Sequence, residues 1–160
     1  MSWLKQRRPR DVQAKRLYHA EHQVSAFLRD TLPTVHDIEK FVDDMLACRS
    51  LRVHFGPRVL DQITVLNGRQ NRTAYARDST ISMPYWSRSK FVVIHEVCHV
   101  LCGRHYGRDS IAGHGLEFAS LQVAMVSHFL GAQDGLDLHR AFTRFGVEHA
   151  VWGDEWSLTG

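Results

Sequence analysis

Residues 95–99 read H-E-x-x-H, and they follow directly on the apolar run of residues 91–94. Residues four apart share one face of a helix, so His95 and His99 are expected to point the same way. Two imidazoles at this spacing can hold one metal ion, and Glu96 can reach a water on that ion without being a ligand. A buried helix with two core histidines would leave the glutamate between them unexplained. The stretch therefore predicts a metal-binding helix with Glu96 as its catalytic residue.

The third metal ligand must come from further along the chain, because a catalytic zinc ion has three protein ligands and leaves its fourth position to water. His105 lies six residues after His99, as in the metzincin pattern, but that pattern has glycine where this chain has Cys102. On a continuous helix His105 would point away from the metal. His114 is the better third ligand, because a glycine on each side allows the chain to turn into a new helix. Cys102 is an alternative ligand, although its thiol would pack equally well as a small apolar group.

The segment G-H-G-x-E-F, at residues 113–118, places the third histidine fifteen residues after the second. Together with H-E-x-x-H, it resembles the core of the SprT-like zinc metalloproteases, which include the Spartan-type proteases of DNA–protein crosslinks. The likeness covers about residues 73–130. It implies a zincin-like α+β domain of the gluzincin kind, in which His95, His99 and His114 bind Zn²⁺. It also implies that Glu96 is the general base in the hydrolysis of a peptide bond in a protein or peptide substrate.

The chain departs from that family at two points. A proline that often follows H-G in the family is Leu116 here, and no zinc ribbon or partner-binding tail follows the catalytic core. The chain also resembles the small H-E-x-x-H metallohydrolases of actinobacteria and their phages. This second likeness implies the fold and the metal more strongly than it implies a substrate.

Other side chains near the motif are candidates for supporting roles. Glu117 is placed either to orient a ligand imidazole or to lie exposed in the first turn of a helix. The oxyanion that forms during hydrolysis needs a hydrogen-bond donor besides the metal. Tyr85, His105 and Tyr106 are candidates for that donor, and the sequence does not choose among them.

Composition favours one ordinary globular domain, residues 1–160. Hydrophobic residues make up 44% of the chain and charged residues 23%, and no apolar run is long enough to span a bilayer. The three cysteines lack the spacing of a disulfide framework, which favours free thiols in a reducing compartment. Because the N-terminus also lacks the apolar core of a signal peptide, we expect a cytoplasmic protein with no membrane partner.

Positive charge is concentrated near the N-terminus, although the net charge is only +3. We interpret residues 1–11 as a basic, flexible arm and residues 152–160 as a short tail. The basic side chains of this arm can simply be solvated, or they can contact DNA phosphates. The alternative to a peptidase is therefore a DNA-associated binding module with a structural zinc site and no protease activity. Glu96 favours the enzyme, because a structural site has no use for it. The basic residues among the first sixteen positions are Lys5, Arg7, Arg8, Arg10, Lys15 and Arg16.

Hydrophobic periodicity predicts an α+β fold around the motif helix. Thr34 is typical of a residue that begins a helix, with Asp37 in the first turn. Residues 80–83 lead almost directly into the motif helix, so we expect this strand to be the open sheet edge that binds a peptide. The other expected elements are a helix from Asp11 to Arg29, a strand at 51–55, an antiparallel meander of strands 63–66, 73–76 and 80–83, a helix over 114–130, and a last helix capped by Asp134 or Asp137 and ending at Gly146.

Overall fold

The computed structural model describes residues 8–152, and within them the chain is an α+β domain with six α-helices and one three-stranded sheet. Side chains from the helices and the sheet share one hydrophobic core. None of the helices in this part of the chain is long and apolar enough to cross a membrane. The helices are α1 (Ala14–Glu21), α2 (Val35–Leu46), α3 (Arg49–Phe55), α4 (Lys90–Tyr106), α5 (Leu116–Phe129) and α6 (Ala132–Arg144), with short 3₁₀ helices at Ser25–Leu28 and Tyr85–Ser87. The strands are β1 (Thr64–Leu66), β2 (Tyr75–Arg77) and β3 (Thr80–Ser82).

Helix α4 lies at the centre of the domain and carries the H-E-x-x-H residues. Its first turn is capped by Ser89, whose hydroxyl accepts a hydrogen bond from the backbone N–H of Val92 at 3.2 Å. It ends at Gly107, which has a φ of 88° that glycine adopts without strain. Side chains on nearly every face of α4 are buried, because α2, α5, the sheet and the 3₁₀ helix at 25–28 surround it. The motif residues therefore occupy a rigid position in the core.

The strands lie in the order β1–β3–β2, which corrects two predictions. β2 pairs antiparallel with β3, as in a meander, but β1 pairs with β3 in parallel. β3 is consequently the central strand, and the prediction that residues 80–83 form the open edge is wrong. Gly68 continues the parallel register of this pair beside Pro84, where an added Cβ would lie 2.6 Å from the Pro84 nitrogen. The chain then passes to the other side of β3 and returns as β2.

Residues 51–55, predicted as a strand, belong to helix α3. Leu51 and Phe55 are buried, at 0% and 8% exposure, whereas Val53 between them is 80% exposed. In a strand all three side chains would share one face, but in a helix only the two that are four apart do so. An alternation of only three apolar residues is too short to distinguish a strand from a helix. The exposure of Val53 agrees with the helix.

The predicted first helix is interrupted. α1 ends at Glu21, and residues 25–28 form a separate 3₁₀ helix instead of extending it. Gln13 rather than Asp11 occupies the N-cap position of α1. The Asp11 side chain is engaged elsewhere, in a hydrogen bond with the imidazole of His114. The segment before α1 therefore contacts the histidine site through Asp11.

The starts of α2 and α6 differ in how well the sequence predicts them. Thr34 begins α2 as expected, since its hydroxyl accepts the Asp37 N–H at 3.1 Å and the Asp37 carboxylate accepts the Thr34 N–H in return. α6 instead begins after Gly131, so neither predicted aspartate is its cap. Asp134 lies in the first turn and accepts a hydrogen bond from Arg29 at 2.5 Å. This ion pair ties α6 to the segment that follows α1.

Gly135 allows α5 and α6 to pack closely, because a Cβ there would lie 2.4 Å from the Cβ of Ser127. We expect Gly135→Ala to destabilise the protein by roughly 1–3 kcal/mol through overpacking, reduced by the better helix propensity of alanine, about 1 kcal/mol. The matched control is Gly103→Ala in α4, where no atom lies within 4 Å of the added Cβ. Urea unfolding measures both variants. Equal stability of the two variants would show that the α5–α6 contact is not tight.

Candidate metal centre

Three imidazoles, those of His95, His99 and His114, meet beside α4. The Nε2 of His99 lies 3.2 Å from the Nε2 of His95 and 3.1 Å from the Nε2 of His114. His95 and His114 are buried and His99 is half-buried. The first two histidines of the motif share a face of α4, and His114 enters from the turn before α5, whose N-cap is Gly115. The structure therefore brings together the three histidines that the sequence predicts as ligands, close enough to bind a metal ion.

Two of these rings form a hydrogen bond with a carboxylate through Nδ1, the ring nitrogen that does not face the other histidines. The Nδ1 of His95 lies 2.5 Å from a carboxylate oxygen of Glu21, and the Nδ1 of His114 lies 2.7 Å from one of Asp11. A carboxylate only accepts hydrogen bonds, so each Nδ1 carries the proton and each Nε2 of a neutral ring presents a lone pair. This arrangement orients the metal-facing nitrogen of both histidines.

The spacing of the three Nε2 atoms fits one metal ion. Zn–N bonds of 2.0–2.1 Å would place tetrahedral nitrogen ligands about 3.3 Å apart. The observed separations of 3.1 and 3.2 Å are close to that value. Three ring nitrogens at these separations can share one cation.

Burial and charge set the proton affinities of the rings. Burial, followed by the nearby His95 and His114, holds the pKa of His99 well below its ordinary value. The pKa of His114 is also lowered, by burial and by His95, although Asp11 opposes the change. Burial also lowers the pKa of His95, but the charge and hydrogen bond of Glu21 outweigh it, so the net pKa is raised. Glu21 thus favours positive charge on the ring that it orients, whether from a proton or from a metal.

Neither orienting carboxylate was predicted. Glu117, the predicted candidate, lies half-buried in the first turn of α5 and occupies neither place. Glu21 is 1% exposed and also accepts a hydrogen bond from Gln122 of α5 at 2.5 Å. A signal for it was present, because this acid follows the buried Leu17 at helical spacing, and a buried acid requires a partner. Asp11 carried no such signal.

A cavity of about 770 Å³ opens beside the histidines. Glu96 lines it next to His95 and His99, as the motif predicts. Residues 74–79, which include edge strand β2, also line the cavity, as do the N-terminal residues Arg8, Pro9 and Asp11. These three residues of the predicted arm therefore lie against the site, whereas residues 1–7, and residues 153–160 of the predicted tail, lie outside the described part of the chain.

Tyr18 of α1 also reaches the histidines and was not predicted. Its hydroxyl lies 3.0 Å from the Nε2 of His114, and its ring stacks on His95 with 5.7 Å between centroids. Burial, with smaller contributions from Glu21, Glu96 and Asp11, raises the pKa of Tyr18 to about 12. Tyr18 therefore presents a protonated hydroxyl to the site.

The predicted oxyanion donors lie elsewhere. Tyr85 is 78% exposed and its ring packs under the guanidinium of Arg88. His105 is in the last turn of α4 and packs against Phe55, with 5.0 Å between ring centroids. Tyr106 follows it and is half-buried beside that ring. None of the three predicted donors lines the cavity. The position of His105 also removes it as a third metal ligand.

Cys102, the alternative ligand, is buried on α4 at 3% exposure. It lines the cavity but is not part of the group of nitrogen atoms that can share one ion. Burial, followed by the charge of Glu117, raises the pKa of the Cys102 thiol to about 12, so the thiolate needed for metal binding is disfavoured.

The fold and the site define an α+β protein whose three clustered histidines lie close enough to bind a metal ion. Comparison with protein-family models, with curated proteins and with solved structures found no significant match. The resemblance to the SprT-like family therefore stays a prediction that rests on the motif residues.

Removal of a ligand should remove the metal. We expect His99→Ala and His114→Ala to lose zinc, from about one ion per chain to almost none, because two nitrogens cannot complete the site. His105→Ala is the matched control and should keep its zinc, since its ring packs on Phe55. Metal analysis of the purified proteins measures this. Zinc lost from His105→Ala but kept by His114→Ala would overturn the assignment of the third ligand.

The orienting carboxylates should tune metal affinity. We expect Asp11→Asn and Glu21→Gln each to weaken zinc binding by about 10–100-fold, because a neutral amide accepts the Nδ1–H hydrogen bond more weakly than a carboxylate and leaves the ring a weaker ligand. Glu117→Gln is the control and should bind zinc as the wild type does. Competition with a chelating dye gives the affinities, and circular dichroism checks that each variant is folded. Unchanged affinity in both carboxylate variants would show that the rings are held by packing alone.

Proposed function

We propose that this chain is a zinc-dependent metallopeptidase with a zincin-like, SprT-like catalytic core. The observation that carries the proposal is the convergence of three Nε2 atoms at the wall of an open cavity that Glu96 also lines. A structural zinc site is closed by four protein ligands, whereas a catalytic site has three and leaves a position open. The arrangement supports a catalytic centre.

The cofactor proposed for the three histidines is Zn²⁺. Imidazole nitrogens suit several transition metals, and an open site of three of them beside a glutamate is typical of zinc hydrolases. When bound, zinc lowers the pKa of a water molecule toward about 7 and polarises a carbonyl group. The protein contributes the orientation of its ligands through Glu21 and Asp11.

Glu96 is the proposed general base. It is 6% exposed, and burial raises its pKa, with His95 opposing and Glu21 adding to the effect. A carboxyl group with a raised pKa can both accept and return a proton near neutral pH. Glu96 takes a proton from the attacking water and delivers a proton to the nitrogen of the leaving amine. The scissile C–N bond then breaks, which gives a carboxylic acid and an amine.

The substrate would lie along β2, in place of the edge predicted from the sequence. One side of β2 pairs with β3, from Tyr75 beside Ser82 to Arg77 beside Thr80, and its residues line the cavity. An edge strand offers unpaired backbone N–H and C=O groups to another chain. An extended peptide can pair with that edge and place a peptide bond beside the histidines.

A DNA-associated module with a structural metal is the second candidate. It is favoured by the exposed basic side chains of Arg10, Lys15 and Arg16, which could contact phosphates. Glu96 and the open cavity have no role in such a module, so we prefer the peptidase.

The decisive variant is Glu96→Gln, which keeps the size of the side chain but removes the base. We expect it to retain zinc and fold while cleavage of unfolded casein by the zinc-loaded protein falls at least about 10²-fold. Glu117→Gln is the control and should cleave as the wild type does. The assays are run with and without DNA. An active Glu96→Gln protein would refute the mechanism, and a wild type that binds DNA but never cleaves would favour the module.

A further inference from the structure

Tyr18 brings a hydroxyl group to the open side of the histidine cluster. Its oxygen lies 3.0 Å from the Nε2 of His114. Two of the imidazoles fix its ring, which stacks on His95 at 5.7 Å and meets His114 edge-on at 4.9 Å. The side chain is 43% exposed and lines the cavity that holds Glu96. The hydroxyl thus faces the space where a substrate would bind.

The hydrogen bond of Tyr18 depends on whether a metal is present. The Nδ1 proton of His114 is donated to Asp11, so its Nε2 has only a lone pair and the Tyr18 O–H donates to it. A metal ion at Nε2 uses the same lone pair. The Tyr18 O–H then loses this acceptor and is free to donate to another oxygen in the cavity. A substrate oxygen in the cavity can supply the missing acceptor.

We propose that the Tyr18 hydroxyl donates a hydrogen bond to the oxyanion formed during peptide hydrolysis, a role that rests on the proposed peptidase function. As the water oxygen bonds to the carbonyl carbon, the π electrons of the C=O bond move onto its oxygen. The Tyr18 O–H stabilises this negative charge and keeps its own proton. When the C=O bond re-forms, the C–N bond breaks and Glu96 delivers the proton to the amine.

Helix α1 holds the donor in place before any substrate binds. Leu17 and Ala20 anchor the helix with 0% exposure, and α1 also packs against α6. Glu21, one turn after Tyr18, holds the ring of His95 on which the phenol stacks. A donor fixed by its surroundings needs no reorganisation during the reaction, which is the condition for strong oxyanion stabilisation.

The test is Tyr18→Phe, with the exposed Tyr85→Phe as the matched control. We expect kcat on a fluorogenic peptide to fall about 10²–10³-fold with little change in KM, because the lost bond forms only in the transition state. A phosphinic pseudo-peptide, whose oxygens imitate the oxyanion, should bind Tyr18→Phe more weakly by a similar factor. Tyr85→Phe should match the wild type in both measurements.

Zinc affinity provides a readout that does not depend on turnover. Tyr18→Phe should bind zinc as tightly as the wild type, or up to about tenfold more tightly, because the metal no longer displaces a hydrogen bond. Weaker zinc binding would overturn the proposal and make Tyr18 a metal ligand instead. Unchanged kcat in Tyr18→Phe, with Glu96→Gln inactive, would overturn the role of Tyr18 and leave the peptidase intact. A zinc-loaded wild type that cleaves no peptide would overturn both.

Discussion

The carboxylate of Glu21 is the group on which the site and much of the core depend. It is buried at 1% exposure, where an unpaired charge would cost several kcal/mol. It accepts hydrogen bonds from His95 on α4 and Gln122 on α5 while belonging to α1. Three helices therefore meet at a single charged group, so the orientation of a ligand ring and the packing of the core are set by the same contacts.

The third histidine is held in a different way, because it lies in an irregular segment. Asp11 accepts hydrogen bonds from both the ring and the backbone N–H of His114. Gln13 donates to the His114 carbonyl and also bonds with the backbone of Glu148, which follows α6. Residues outside helices and strands need partners for their backbone groups, and here the N-terminal segment supplies them. A loop residue is thereby held through both its ring and its backbone.

Local spacing predicted the parts of the site that local geometry determines. Four residues separate His95 from His99 on one helix, and glycines mark the turn at His114. The missed residues Glu21, Tyr18 and Asp11 lie 74, 96 and 103 residues before the histidines that they contact. No periodicity links such distant positions. The order of the strands was missed for a similar reason, because the alternation within each strand is the same whichever strand is central, and the parallel pairing of β1 with β3 joins segments that are not neighbours in sequence.

The packing of α1 between the histidines and α6 has a consequence for how the protein is made. During synthesis the motif histidines leave the ribosome before α6 does, yet α6 is the helix against which α1 packs most extensively. An unfinished chain thus has its imidazoles but lacks firmly placed carboxylates to orient them, so metal capture is expected late in folding. For a peptidase, this order would delay activity until its own chain is complete.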